Sequence, residues 1–373
     1  MKVVFWAATA LIVYTYAGYA GWLWLRARLR PWPVLSGAWE PFVSIVMVVR
    51  NEELCLEAKL QNLRALDYPA ERCQIVVVSD GSTDRTEQIL REHARDPRVQ
   101  VLMNQLSQGK ASGLNDAFGL VSGEIVVFTD ARQRMEGDAI RRLAEDFADP
   151  EVGCVSGALF LGDAQTGESA KGMGLYWRVE KKIRELESQS GSVVGATGAI
   201  YAVRRELLTP VPENTILDDV YLPMQVVRQG KRVIFEPRAR AWDSPDLGAE
   251  REFSRKVRTL SGNYQLLQLA PWILKSEDPV RFEFISHKVL RLAVPFALAA
   301  LLLSSIFLTG IVYRFALALQ ILFYGMSGLA GLRLIRGRWS GMADAALTFV
   351  VLNSAAAVAF VNFLTGRKTV WAR

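Results

Sequence analysis

Apolar residues fall into two kinds of run along this chain. Near the ends they form long uncharged blocks, Val3–Leu25, Leu292–Tyr313, Phe315–Leu332 and Ala345–Gly366, of 23, 22, 18 and 22 residues. About 20 apolar residues cross a bilayer as a helix, so the pattern predicts one membrane helix early in the chain and three late, three or four in total if one run is re-entrant or interfacial. Buried helices of a soluble all-helical domain are a poor alternative, because the blocks are apolar on every face. In the middle the runs are short and β-rich: Val43–Val49, Ile75–Ser79, Val99–Met103 and Ile125–Thr129. Each precedes a helical stretch, Leu54–Ala65, Asp84–Ala94, Ala111–Val121 and Ala139–Phe147 in turn. Strand and helix alternating at this pitch predict parallel pairing through right-handed crossovers, hence an α/β domain with a mostly parallel, doubly wound sheet.

Composition sharpens this picture. Of 373 residues, 51% are hydrophobic and 22% charged, which excludes disorder and a purely soluble chain. Arg26, Arg28 and Arg30 follow the first block while only Lys2 precedes it. The positive-inside bias therefore sets the N-terminus outside and the central domain in the cytoplasm. A cleaved signal peptide is the competing reading, but the block is too long for one and the arginines follow at once. The same rule wants the Arg333, Arg336 and Arg338 loop inside, and alternation then strands Arg367, Lys368 and Arg373 outside. Three cysteines without close spacing and two distant histidines give no disulfide framework or zinc site, consistent with a reducing compartment. The expected organisation is residues 1–30 as a membrane helix with basic flank, 31–250 as the cytosolic domain, 251–288 as an amphipathic interfacial segment and 289–373 as membrane helices. In that segment Arg255, Lys256 and Arg258 mix with Leu260, Leu266, Leu267, Leu269 and Trp272, which suits a helix lying among anionic headgroups. The net charge of +6 thus needs no nucleic-acid partner, for which no motif appears.

Polar residues of candidate chemistry cluster just past the strand ends. Asn51, Glu52 and Glu53 follow the first strand, Asp80 to Asp84 the second, Gly109 and Lys110 the third, and Asp130 to Arg132 the fourth. Open α/β sheets bind ligands at this carboxyl edge, so the four loops converge on one crevice. Asp84 also suits a helix cap, whereas Asp80 comes too early to cap and suits a base N–H or ribose hydroxyl. Lys110 beside it would offer positive charge to a nucleotide, against a plain solvated lysine. Asp218 and Asp219 at a helix start are either dipole partners or a general base for an attacking hydroxyl. Thr197 and Gly198 lie in a small-residue loop that a substrate can approach closely.

Taken together, VVRNEE (Val48–Glu53), DGSTD (Asp80–Asp84), GKASGLNDA (Gly109–Ala117), FTDAR (Phe128–Arg132), ATGAIYAVRR (Ala196–Arg205), LDD (Leu217–Asp219) and RKVRT (Arg255–Thr259) resemble a family 2 glycosyltransferase of GT-A fold. The likeness is to the membrane-integrated branch that includes cellulose, hyaluronan and chitin-type synthases. It implies inverting transfer of a sugar from a nucleotide-diphosphate sugar, UDP-linked rather than GDP-linked, to a glycan or lipid acceptor in envelope polysaccharide synthesis at a bacterial inner membrane, with a polysaccharide export partner. Asn51, Glu52 and Asp80 would hold base and ribose, with Lys110 and Arg132 nearby. Asp130 would match the first acid of the metal motif for Mg2+ or Mn2+, Asp219 the catalytic base, and Arg255 with Arg258 the diphosphate motif, beside Asp218, Thr197 and Gly198.

Two departures qualify the resemblance. Arg132 stands where the second metal-binding acid belongs, so either Asp130 holds the metal alone, which magnesium tolerates, or Arg132 supplies positive charge itself. Thr259 stands where processive members place Trp; Trp177, Tyr201, Trp242 and Tyr264 are candidate replacements that fit core packing better. This leaves single-sugar transfer to a polyprenyl phosphate or other lipid as an alternative. A nucleotide-sensing transporter or receptor fits less well, since ionisable residues are nearly absent from the apolar blocks.

Overall fold

The four predicted strands form within a residue or two of the predicted bounds, because a parallel strand buried on both faces is written as a continuous apolar run. In the computed structural model, which describes residues 1–163, 168–169, 174–243, 249–335 and 337–367, they are β1 (Val43–Val49), β2 (Cys73–Asp80), β3 (Val99–Asn104) and β4 (Ile125–Phe128). The chain enters through α1 (Lys2–Leu29), and the strands are followed by α2 (Leu56–Arg64), α3 (Thr86–His93), α4 (Lys110–Phe118) and, after β5 (Arg134–Met135), α5 (Ala139–Asp146).

The second half is mixed rather than parallel. It holds β6 (Val152–Asp163), β7 (Glu168–Ser169), α6 (Gly174–Ser190), β8 (Tyr201–Arg204), α7 (Asp218–Arg228) and β9 (Arg232–Asp243). The sheet runs β3-β2-β1-β4-β8-β6-β9-β5, with β7 paired off β6. Pairing is parallel from β3 through β4, while β8 runs antiparallel to both β4 and β6, β9 parallel to β6, and β5 antiparallel to β9. Side chains alternate across β1: Ile45 and Met47 meet Leu56, Leu60 and Leu143 on one face, Val46 and Val48 meet Leu114, Val220 and Met224 on the other. Helices thus seal both faces and leave the carboxyl edge for chemistry.

Among the described residues four helices are long and apolar enough to cross a membrane: α1, α9 (Arg281–Phe307), α10 (Ile311–Gly331) and α11 (Ser340–Leu364). Two expected bounds change. The Leu292–Tyr313 run breaks at Leu308–Gly310, where Gly310 takes φ +131°, and its helix begins at Arg281. Arg314, expected between two spans, lies inside α10. The 288/289 division therefore falls within α9, and the 250/251 division within α8 (Ala249–Leu269). Leu260, Tyr264 and Leu267 of α8 pack on Ala355, Ala359 and Phe363 of α11, so its apolar face meets a neighbouring helix. Arg336, Lys368, Arg373 and the Arg338 side chain lie outside the described residues.

A buried polar knot fastens α6 to the membrane helices. Tyr19 of α1 donates to Glu187 Oε1 at 2.6 Å, and His287 of α9 places Nδ1 2.8 Å from that oxygen and Nε2 3.0 Å from Glu180 Oε1. Arg291 donates to Glu180 Oε2 at 2.7 Å; Arg26 donates to Ser190 at 2.9 Å and pairs with Glu283. Burial alone would raise the Glu180 carboxyl, but Arg291 and His287 hold it well below the usual carboxylate range.

Candidate active site

The first two loops lock together at the crevice mouth. Asn51, in the left-handed region at φ +55°, accepts from Thr83 N at 2.8 Å and donates its own N–H to Ser82 Oγ at 3.2 Å. Glu52 N–H donates to Thr86 Oγ1 at 2.9 Å, and Glu52 Oε2 accepts from the Cys55 thiol at 3.1 Å. Asp84 Oδ1 accepts from Thr86 N at 2.9 Å, as its capping reading expects. Asp80 is fully buried and accepts from Gln108 N (2.7 Å), Ser107 Oγ (2.8 Å) and Gly109 N (3.0 Å). Its carboxylate therefore shapes the loop that delivers Lys110. Gly81 makes that contact feasible: it sits at φ +63°, and a Cβ there would lie 2.5 Å from Ser107 N.

Lys110 gathers the acids. Its Nζ lies 3.0 Å from Asp130 Oδ1 and 3.3 Å from Asp218 Oδ2. Burial would depress this amine, yet Asp130, Asp218 and Asp219 raise it above its ordinary value, so it stays charged. Asp219 Oδ2 accepts from Gly198 N at 3.1 Å, and a Cβ on Gly198 would stand 3.0 Å from that oxygen. Burial, then the neighbouring Asp218 charge, push the Asp219 carboxyl up to about 6 while Lys110 opposes them. A carboxylate raised toward neutrality accepts a proton better than an ordinary one. Thr197, next in the loop, accepts from Arg184 NH1 at 2.6 Å. Asp80, Asp130 and Asp218 are thus linked through Ser107–Lys110, and Asp219 lies within the electrostatic reach of Lys110.

Arg132 and Arg255 meet on a residue that the motif reading missed. Asp243, at the end of β9 and 4% exposed, holds Oδ2 3.5 Å from each guanidinium and accepts from Gln133 Nε2 at 3.1 Å. Arg255 also pairs with Glu252 at 2.7 Å, whereas Arg258 makes no ion pair among the described residues. Thr259 is exposed. Of its candidate replacements, Tyr201 stacks on Phe128 at 4.6 Å, Trp242 is buried with Nε1 on Glu136, and Tyr264 packs on Phe363, so these three serve packing.

Lys59 was also missed, although its signal was available: it interrupts an apolar stripe of Leu56, Leu60 and Leu63 at helical spacing. Its buried Nζ donates to Thr129 Oγ1 (2.7 Å) and Gln133 O (2.6 Å), bracing the loop that carries Asp130 and Arg132. Burial pulls this amine down to about 7, with Asp130 opposing. The unfolded chain therefore binds more protons than the folded one between about pH 7 and 10, so this group's contribution makes stability rise with pH there. Melting curves of the detergent-solubilised protein should show that slope, and Lys59→Met should remove it; an unchanged slope in the variant would assign it elsewhere.

A mixed α/β sheet with acids and cations gathered at its carboxyl edge is the GT-A architecture of nucleotide-sugar transferases. Residues 44–210 match glycosyl transferase family 2, and the chain carries a domain of that family. It is 29% identical over 192 residues to a beta-monoglucosyldiacylglycerol synthase of Nostoc sp., a match covering 50% of this chain and 41% of that protein. It is 24% identical over 241 residues to a poly-beta-1,6-N-acetyl-D-glucosamine synthase of Staphylococcus epidermidis, covering 62% and 56%. The chain thus spans about half the length of these curated relatives. Among solved structures, a mannosyltransferase from Pyrobaculum calidifontis, in complex with GDP-Man and Mn2+, shares the fold with a TM-score of 0.74 at 24% identity, covering 98% of this chain and all of that one.

Proposed function

We propose that this protein is an inverting glycosyltransferase that moves a sugar from a nucleotide-diphosphate donor to a lipid or glycan acceptor at the cytoplasmic face of a bacterial plasma membrane. The observation that carries the reading is the single cluster of Asp130, Lys110, Asp218 and Asp219, with Asp219 oriented by Gly198 N–H. In this reading Asn51, Glu52 and the Asp80-braced loop receive the nucleotide, while Lys110, Arg132 and Arg255 face the diphosphate with Arg258 nearby. Asp219 takes the proton of the attacking hydroxyl as the sugar–phosphate bond breaks, and one carboxylate suffices for one displacement. Thr197 and Gly198 border the acceptor side. Arg26, Arg28 and Arg30 favour the cytoplasmic orientation.

Among the described residues no group of three metal-ligating side chains is assembled. Asp130 remains 42% exposed with one oxygen on Lys110, which fits a cation held by one carboxylate together with substrate phosphates and water. Bound Mg2+ or Mn2+ would neutralise charge on the departing diphosphate. A second reading, single transfer to a lipid rather than polymerisation with an export partner, is favoured by the exposed Thr259.

Purified membranes supplied with radiolabelled UDP- and GDP-sugars test both points. Label should enter lipid or polymer from one donor, and chelation should lower incorporation at least about tenfold. Full activity under chelation would leave Lys110, Arg132 and Arg255 as the diphosphate's counter-charges; no incorporation from any donor would end the proposal.

A further inference from the structure

We propose that Tyr201 is a positioning residue for the transfer: its hydroxyl takes hold of Asp218 when the diphosphate of the donor draws Lys110 away. The inference rests on the transferase reading above and deepens it by naming what steadies the acids once Lys110 is engaged.

Two orphaned groups of opposite kind point there. Tyr201 is fully buried, and its ring stacks on its cross-strand partner Phe128, with centroids 4.6 Å apart and planes 15° apart. The ring serves packing, but the hydroxyl at its end has no hydrogen-bond partner among the described residues. Asp218 Oδ2 is buried and likewise accepts no hydrogen bond; Lys110 Nζ stands 3.3 Å away as an ion pair only, closer to Asp130 at 3.0 Å. An unpaired buried donor and an unpaired buried acceptor each carry a desolvation penalty, which a hydrogen bond between them relieves.

The fold sets both groups on one side of the sheet. Tyr201 of β8 shares a packed cluster with Phe128 of β4, Leu114 of α4 and Val220 of α7, and Lys110 and Asp218 are the first residues of those two helices. After burial itself, Asp218 acts on the phenol most strongly, followed by Asp219, Cys154 and Asp130. Together they hold the phenol well above its ordinary range, so the hydroxyl keeps its proton and is available as a donor. In the free chain Lys110 supplies the charge that Asp130 and Asp218 need. A diphosphate competes for that amine, which leaves Asp218 a desolvated carboxylate beside Asp219. The Asp219 carboxyl is faced by Asp218, Lys110, Lys288 and Asp130, and the Asp218 charge pushes it upward. A hydrogen bond from Tyr201 screens that charge at the stage when Lys110 no longer does, and Asp219 keeps its seat on Gly198 N–H.

The test uses the full chain in nanodiscs, as wild type, Tyr201→Phe, Lys110→Met and the double variant, with the nucleotide sugar that the membranes turn over. Tyr201→Phe keeps the ring stack and removes an oxygen that has no partner in the free protein, so its melting temperature should match the wild type. Its calorimetric donor Kd should rise about tenfold, the worth of one hydrogen bond to a charged group. The acid limb of its kcat against pH should move to higher pH, because the Asp218 charge then bears on Asp219 unscreened. In Lys110→Met the hydroxyl is engaged before the donor arrives, so adding Tyr201→Phe should lower the melting temperature and leave donor affinity where the single variant puts it. Unchanged donor affinity or an unmoved limb in Tyr201→Phe overturns the inference, with the N-terminus of α7 alone steadying Asp218, and leaves the transferase reading standing. A melting temperature well below the wild type in Tyr201→Phe alone also overturns it, since the hydroxyl would then be engaged in the free protein. Absence of donor binding to the wild type overturns both.

Discussion

With a hydroxyl acceptor, Asp219→Asn should lower the turnover of the labelled donor by about 100- to 10,000-fold, the range that a positioned general base contributes. The amide is isosteric and its oxygen can still accept from Gly198 N–H, so loop and donor affinity should be retained. What disappears is the capacity to take a proton. Because burial and Asp218 raise the carboxyl to about 6, the working, ionised form predominates above that pH. The wild-type kcat/KM should therefore climb with pH through about 6 and then level off, and this limb should vanish from the residual rate of the variant. Single-turnover transfer with calorimetric donor binding reads both effects. Wild-type turnover in Asp219→Asn on a hydroxyl acceptor would remove Asp219 from the chemistry.

The parts legible in sequence were those where one local rule dominates. β1 to β4 announced themselves as apolar runs, and the loops behind them carried polar residues of which some, such as Asp84, had a local capping reason and others, such as Asp80, had none. The other half of the sheet was harder. β9 spans Arg232–Asp243 and carries Arg232, Glu236, Arg238 and Arg240, charges that pair with side chains or backbone and mask the strand pattern. Asp243 likewise gains meaning only when Arg132 and Arg255, more than a hundred residues apart, both arrive at it. The start of α9 was hidden for a related reason. Its first turns are polar because Glu180, Glu187 and Arg26 satisfy them, so hydropathy marks only the later part. His287, one of the two distant histidines that offered no zinc site, proves to be the pivot of a contact invisible to any local window.

That pivot supports the second large effect. Glu187 is fully buried and its Oε1 receives both the Tyr19 hydroxyl and a ring N–H of His287. Glu187→Ala would leave the Tyr19 hydroxyl and Nδ1 of His287 without their acceptor among apolar neighbours Leu23, Ile183 and Leu186. A buried donor left without its acceptor costs about 1–3 kcal/mol, and two are left here, while His287 keeps Glu180 at its other nitrogen. Glu187→Gln should cost less, since the amide oxygen still accepts one of the two bonds. The loss falls on the joint between α1, α6 and α9, so the domain should separate from its membrane helices before its own sheet melts. Denaturant titration in mixed micelles, followed by protease cleavage within α6 and by sheet circular dichroism, would resolve the two events. Glu187→Ala should bring the cleavage midpoint far below that of the wild type and leave the sheet transition nearly in place. Coincident midpoints at the wild-type position would mean that the knot adds little, its desolvation having offset its pairing, and that van der Waals packing alone seats the domain on the bilayer.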